Sequence, residues 1–462
     1  MSPRILPLAC LFGLSALACS KADPKAAPAA PAEAQPSAPA PAPTPAQPEP
    51  EKPVEHLILL TVDSLRADMP WLGYPRDIAP NLTKLAESSV VYSRAYSISS
   101  YTSMSLAGLM SGRYPGELAR DGRTTSRFGP EALMLAEVLA ERGFHTLGVH
   151  GHVYFLGDTG IKQGFAEWHV VPRITMRPAR DGHVTDAELA DLLLDALRRH
   201  ASERPKQRLF AWAHFMDPHY AYVAHELVNY SGDPYALPDG GSAEPLEPGA
   251  RLSAVGQRLR NLYDREVRFT DAQVGRVLDY LQQEPAFAGA AIVVSADHGE
   301  AFGEHKSYFE HGYYLHEVVT RVPLLVHAPG LRPKRLDVRR SHIDLPRTFL
   351  ELLDVPAPES FRGTSLVAEL RGGEAAPRDI VLDLPYTDQT PRRRALIHGS
   401  HKLVVTETEQ VPTLFDLTRD PSERQDLAST DTARLTDMLT RYERMNTALP
   451  DFPAPRRATR SY

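Results

Sequence analysis

The sequence predicts an α/β fold: a mostly parallel central sheet with helices on both faces. Three observations carry this. Short, continuous, apolar and β-branched runs recur along the chain, as strands buried on both faces require. Helical periodicities lie between them, and strand–helix alternation on this scale builds a layered α/β sheet. The composition, 42% hydrophobic and 24% charged over 462 residues, is that of a globular protein. It argues against a multi-span membrane protein and against a wholly disordered chain.

The predicted strands are HLILLTV (56–62), VVYSRAY (90–96), HTLGV (145–149), RLFAWAHF (208–215), AAIVVSA (290–296) and VPLLVHA (322–328). Helical spacing covers 79–88, 103–111, 130–142, 186–200, 254–283 and 345–353. Neither an internal repeat nor a phosphate-binding glycine loop is present. The formal charge of −7, from 51 basic and 58 acidic residues, offers no global pull toward nucleic acid, and none is expected to bind.

Ahead of the folded head lies an expected address and tether. Arg4 is the sole charge before position 19, and an apolar stretch from Ile5 to Ala18 is too short to span a bilayer. A basic start, a short apolar core and small residues at the end read as a secretory signal over 1–18. The end, Ala16-Leu17-Ala18-Cys19-Ser20, resembles a bacterial lipoprotein signal, which implies a lipid on Cys19; ordinary signal cleavage is the alternative. Residues 22–53 hold 11 Pro and 11 Ala. Such a segment has little to bury, so 19–54 reads as a semi-extended linker reaching on the order of 100 Å. The expectation is an exported, membrane-anchored protein of the cell envelope. The only cysteines are Cys10 and Cys19, so the head holds no disulfide framework and no cysteine-rich zinc site.

In open α/β sheets ligands bind beyond the carboxyl ends of the strands. The first strand ends in Val62-Asp63-Ser64, and the 290–296 strand runs into Asp297-His298-Gly299-Glu300. Two Asp and one His at adjacent strand ends make a plausible divalent-metal set. Between them, hydroxyls cluster where a helix begins, at Tyr101-Thr102-Ser103. A helix start offers free N–H groups and positive potential, which suit an anionic ester. Thr102 as a simple helix cap is the competing reading.

These segments, in order, resemble the sulfatase family within the alkaline-phosphatase superfamily. The resemblance is carried by VDSLRAD (62–68), APNLTKL (79–85), the 101–115 segment ending SGRYP, HFMDPHYAY (214–222) and YDREVRFTDAQVGRVLDYL (263–281). It continues through SADHGEAFGEH (295–305), HGYYLHEVVTRVPLL (311–325), SHIDLPRTFLELLDVPAP (341–358) and LFDLTRDPSERQDLA (414–428). It implies an alkaline-phosphatase-like catalytic domain over 55–385 and a small C-terminal α+β subdomain, with the tail, over 386–462. It also implies Asp63, Thr102, Asp297 and His298 as metal ligands, Thr102 as nucleophile and His219 at the leaving group. His311 and Asp217 are implied contacts to the substrate anion or its partners; the lysine that the family places after the 145–149 strand is missing, and His152 or His150 is its expected substitute, with a histidine in a turn the competing reading.

The departures matter for chemistry. The family's modifiable Cys or Ser, which becomes formylglycine, is Thr102, and Met104 and Leu106 replace the motif's Pro and Arg. Threonine cannot become that aldehyde. A sulfated threonine has no second hydroxyl to expel sulfate, whereas a phosphorylated one is released by in-line attack on phosphorus. Threonine chemistry therefore favours a phosphoester, with a sulfate ester as the family's own substrate. A donor set of two carboxylates, one imidazole and one alkoxide suits Zn²⁺ or Mn²⁺ better than Ca²⁺, as one ion with a second allowed. Two alternatives stand: a sulfatase-like binding lipoprotein without catalysis, and a transferase of phospho-headgroups.

Overall fold

Strand β1 (His56–Val62) is buried along its whole length, and its period-two alternation sorts the core into two layers. Leu57 and Leu59 face one side with the helices α2 (Thr102–Ser111), α3 (Leu135–Ala140) and α7 (Leu345–Leu352), meeting Leu106, Leu109, Leu135 and Phe349. Ile58, Leu60 and Val62 face the other with α1 (Pro80–Glu87), α4 (Asp186–Glu203) and α5 (Ala254–Gln283), meeting Leu82, Leu189 and Val267. Two short helices, α6 (Glu317–Thr320) and α8 (Val367–Leu370), complete this part of the chain. The computed structural model describes residues 53–174, 185–220, 222, 252–305, 308–408 and 412–453. The signal, Cys19, nearly all of the linker and the last residues of the tail lie outside these residues.

The remaining strands are β2 (Val90–Tyr96), β3 (His145–His150), β4 (Glu167–Val170), β5 (Leu209–Phe215), β6 (Ala290–Ala296), the short β7 (Ala301–Phe302) and β8 (Phe309–Glu310), β9 (Arg321–His327) and β10 (Lys334–Ser341). The main sheet has eight strands in the order β10-β2-β9-β6-β1-β5-β3-β4. All neighbours are parallel except β9, which runs antiparallel to both β2 and β6. Val62 pairs with Phe215 and Ala296, and His150 with His214, so β1, β5, β6 and β3 end at one edge. That shared edge brings together the chemistry of segments far apart in sequence.

A second, antiparallel sheet, β11 (Ile380–Leu384), β12 (Arg393–His398), β13 (His401–Thr406) and β14 (Thr413–Asp416), is covered by α9 (Thr432–Ala448), whose Met438 and Tyr442 meet Leu396, Leu403 and Leu414. The first strand of this C-terminal sheet starts at Ile380, where IVLDL pairs with β12. Its junction with the catalytic part contains the wholly buried Lys402. Its ammonium group lies 3.1 Å from Glu317 Oε1 and 2.8 Å from Glu423 Oε1. Removing one member of such a buried group strands the others. Lys402→Met is therefore expected to cost about 3–5 kcal/mol, read as a lower denaturant midpoint in equilibrium unfolding.

Candidate active site

Helix α2 begins directly at Thr102. Tyr101 holds the cap position and makes no side-chain capping bond, and Gly112 ends the helix at φ 61°, where a Cβ would lie 2.7 Å from the Phe361 ring. Thr102 is thus the first helical residue and not the cap. Its hydroxyl turns away from the backbone and meets His298 Nε2 at 3.1 Å. Every residue of α2 is buried, so the nucleophile candidate stands on a rigid helix.

Asp63 and Asp297 arrive from the adjacent ends of β1 and β6 and are both fully buried. Ser64 takes φ 59°, a left-handed conformation uncommon outside glycine, and turns the chain directly after Asp63. In that turn the Ser64 amide donates to Asp297 Oδ1 at 3.2 Å, and its hydroxyl donates to Asp63 Oδ1 at 2.9 Å. The His298 amide donates to Asp297 Oδ1 as well, at 2.9 Å. Asp297 Oδ2 is buried without a hydrogen-bond partner and lies 3.3 Å from His298 Nε2.

His298 Nδ1 lies 2.9 Å from the Gly299 carbonyl, an acceptor, so Nδ1 carries the proton and Nε2 presents a lone pair. That lone pair faces Thr102 Oγ1, Asp297 Oδ2 and, at 3.8 Å, Asp63 Oδ1. An imidazole lone pair, two carboxyl groups and a hydroxyl converge there. This donor set fits a divalent cation, and Asp63, Thr102, Asp297 and His298 are the residues that would hold it. Burial raises the Asp63 carboxyl, but His219, His214 and His298 around it outweigh this and hold it well below the usual carboxylate range. Asp297 goes the other way: burial, then the neighbouring Asp63 charge, push it well up. Burial, aided by His311, keeps His298 well below the usual imidazole range.

Three further histidines line the cluster. His152 Nε2 lies 3.8 Å from Asp63 Oδ2. Its Nδ1 accepts the Tyr154 amide at 2.9 Å, which leaves the ring's proton on Nε2, facing the site as a donor. Burial drives its pKa down to about 3. His219 packs edge-on to His152 and His311, with ring centroids 5.7 and 4.8 Å away, and its Nδ1 meets the Tyr220 carbonyl. His311 stacks on His298 at 4.1 Å, and its Nδ1 lies 3.1 Å from Glu300 Oε1. Burial takes His311 to about 3 and raises the fully buried Glu300 to about 8.

The expected residues are not all brought together. Asp217 is occupied at the start of α4, where its carboxylate accepts from Thr185 N, Thr185 Oγ1 and Asp186 N at 2.8, 2.9 and 3.1 Å. It serves the helix start because the HFMDPH turn brings it under the free amides there. The alternative anion contact, His150, is fully buried between Phe155 and Trp168. Two residues were missed from the sequence: His214, whose Nε2 lies 3.3 Å from Asp63 Oδ2, and Glu300, the partner of His311. His214 sits within a strand whose apolar neighbours disguise it; only the β1–β5 register, which sets it opposite Thr61, two residues before Asp63, could have exposed it.

A metal-competent cluster beyond the carboxyl ends of an α/β sheet, with a hydroxyl at a helix start, defines an ester hydrolase of the alkaline-phosphatase-like class. A family model described as Sulfatase matches residues 55–355, and one described as N-sulphoglucosamine sulphohydrolase, C-terminal, matches residues 303–447. The chain belongs to the sulfatase family. It is 24% identical over 432 residues to a choline-sulfatase of Rhizobium meliloti, covering 81% of this chain and 82% of that protein. It is 22% identical over 392 residues to a delta 4,5-hexuronate-2-O-sulfatase of Bacteroides thetaiotaomicron, covering 75% and 79%. A solved phosphonate monoester hydrolase from Silicibacter pomeroyi superposes with a TM-score of 0.68 at 21% identity, covering 86% of this chain and 96% of that one.

Proposed function

We propose that this sulfatase-family hydrolase cleaves phosphoric or phosphonic esters in preference to sulfate esters, with Thr102 as nucleophile. The observation that carries the reading is the Thr102 hydroxyl, first in its helix, 3.1 Å from His298 Nε2 and within the donor set of Asp63 and Asp297. When bound there, a divalent ion lowers the pKa of the hydroxyl and neutralises charge on the anion. The choice of Zn²⁺ or Mn²⁺ over Ca²⁺ follows from the imidazole in the donor set. The phosphonate monoester hydrolase of the same fold is compatible with phosphorus chemistry in such a frame.

The free amides at the start of α2 and the His152 Nε2–H are the donors available to the ester's oxygens. Thr102, its proton lost to solvent, bonds to phosphorus as the bond to the leaving oxygen breaks. His219 gives that oxygen a proton. Water then gives a proton to His219 and attacks phosphorus in line; the P–O bond to Thr102 breaks, which frees the anion and regenerates both residues. A sulfated Thr102 lacks an equally easy exit. Turnover of aryl phosphodiesters, phosphonate monoesters, phosphomonoesters and aryl sulfates by the metal-loaded protein tests the preference. Phosphorus esters are expected to lead, and turnover of sulfate esters alone would reject the reading.

We further propose that the head is exported and held to a membrane through an acylated Cys19. No described helix is long and apolar enough to cross a membrane, and the reading rests on the leader sequence. In a bacterial host, radiolabelled fatty acid is expected to enter the wild type and not Cys19→Ser.

A further inference from the structure

We propose that His214 is a further ligand of the divalent ion, giving the site a second imidazole. This rests on the reading of Asp63, Asp297 and His298 as a metal site and goes beyond it. His214 comes from β5, the strand beside β1 on the side away from β6, so it approaches Asp63 opposite His298. It is fully buried, and its Nε2 lies 3.3 Å from Asp63 Oδ2, while His298 Nε2 faces Asp63 Oδ1. Asp63, His214 and Asp297 bring one ligand atom each within 4.8 Å of one another.

The His214–Asp63 contact meets hydrogen-bond geometry, and its length also fits two ligands of one cation. Two ligands each about 2.1 Å from one ion, at tetrahedral or octahedral angles, stand roughly 3.0–3.4 Å apart. His214 Nε2 to Asp63 Oδ2 and His298 Nε2 to Asp297 Oδ2 are both 3.3 Å. A charge-assisted N–H···O⁻ bond would be shorter, about 2.7–2.9 Å.

The far side of the ring agrees. Thr61 Oγ1 accepts Trp212 Nε1–H at 2.9 Å and donates to the Ala213 carbonyl at 3.3 Å. Thr61 Oγ1 and His214 Nδ1 are 2.9 Å apart and either can donate; with His214 as a ligand, Nδ1 donates to Thr61 Oγ1. The proton then sits on Nδ1, and Nε2 turns a lone pair toward a carboxylate, an arrangement that a cation between them makes favourable. A ligating histidine held by a partner on its other nitrogen is the usual arrangement. Trp212, Thr61 and His214 form that support, built from two adjacent strands.

The cobalt(II) form of the full chain provides the test. Each bound imidazole places one exchangeable Nδ1–H in the paramagnetically shifted proton spectrum, so the wild type is expected to show two such signals. His214→Asn is expected to show one, with a dissociation constant for Zn²⁺, from chelator competition, weakened by more than the roughly 10–100-fold typical of losing an outer partner. Thr61→Val leaves both imidazoles in place, and is expected to keep two signals with one displaced. A single shifted N–H in the wild type overturns the proposal and makes His214 a hydrogen-bond donor to Asp63. This outcome needs no variant to fold, and it leaves the ester-hydrolase reading standing. Failure of the chain to bind Co²⁺ or Zn²⁺ overturns the metal site and the proposal together.

Discussion

Replacing Thr102 by alanine is expected to lower phosphoester turnover by roughly 10⁴-fold or more, the scale of losing a covalent nucleophile. The residue is 3% exposed and surrounded by packed neighbours, so loss of one hydroxyl and one methyl leaves the helix in place. Thr102→Ser keeps the hydroxyl and is expected to retain most of the rate, which separates chemistry from packing. Measuring kcat/KM for wild type, Thr102→Ala and Thr102→Ser on one phosphodiester decides it. Turnover unchanged in the alanine variant would remove Thr102 from the reaction.

The second large effect is a trade between stability and function at Asp297. Burial, then the Asp63 charge, raise its carboxyl well above 3.8 in the folded chain. The unfolded chain ionises this group near the ordinary aspartate value, so the metal-free folded state binds more protons above that pH. Its stabilising share is complete below about pH 4 and is lost as pH rises through the folded value. Asp297→Asn has no such loss. Metal-free Asp297→Asn is therefore expected to match the wild type near pH 4 and to exceed it at neutral pH by about 1–3 kcal/mol, the scale of relieving a buried, unsatisfied group. Saturating metal reverses the order, because the wild type gains binding energy and the variant loses a ligand. Activity of the variant falls in either case. Asp63 has the opposite sign: its carboxyl is depressed, so it stabilises above the unfolded value, and Asp63→Asn is expected to destabilise the metal-free protein at neutral pH. Urea titrations of the three proteins at pH 4 and 7 read both signs.

Much of the frame was legible because buried strands announce themselves. HLILLTV, VVYSRAY and AAIVVSA form strands at their expected limits. Their direction was not legible: VPLLVHA looks like its parallel neighbours because burial on both faces sets its composition, and whether the chain enters from above or below does not. The edge strand β10, KRLDVRRS, was missed because its charges serve the exposed side of the sheet. The same logic divides the site. Asp63, Asp297 and His298 stand just past apolar runs, where a polar residue stands out. His214 lies inside its run and becomes visible only through the pairing of β5 with β1. Asp217, two residues from His219, was drawn toward the site by proximity in sequence, but the turn after β5 directs it to the start of α4.

On the proposed mechanism Thr102 forms a covalent bond to phosphorus during turnover. Acid quench of the metal-loaded enzyme during steady-state hydrolysis of an aryl phosphodiester, followed by proteolysis and mass spectrometry, tests it directly. A phosphoryl ester is expected on Thr102, absent without substrate and absent in Thr102→Ala. Full turnover with Thr102 unmodified at every quench time, and with the alanine variant equally active, would contradict it.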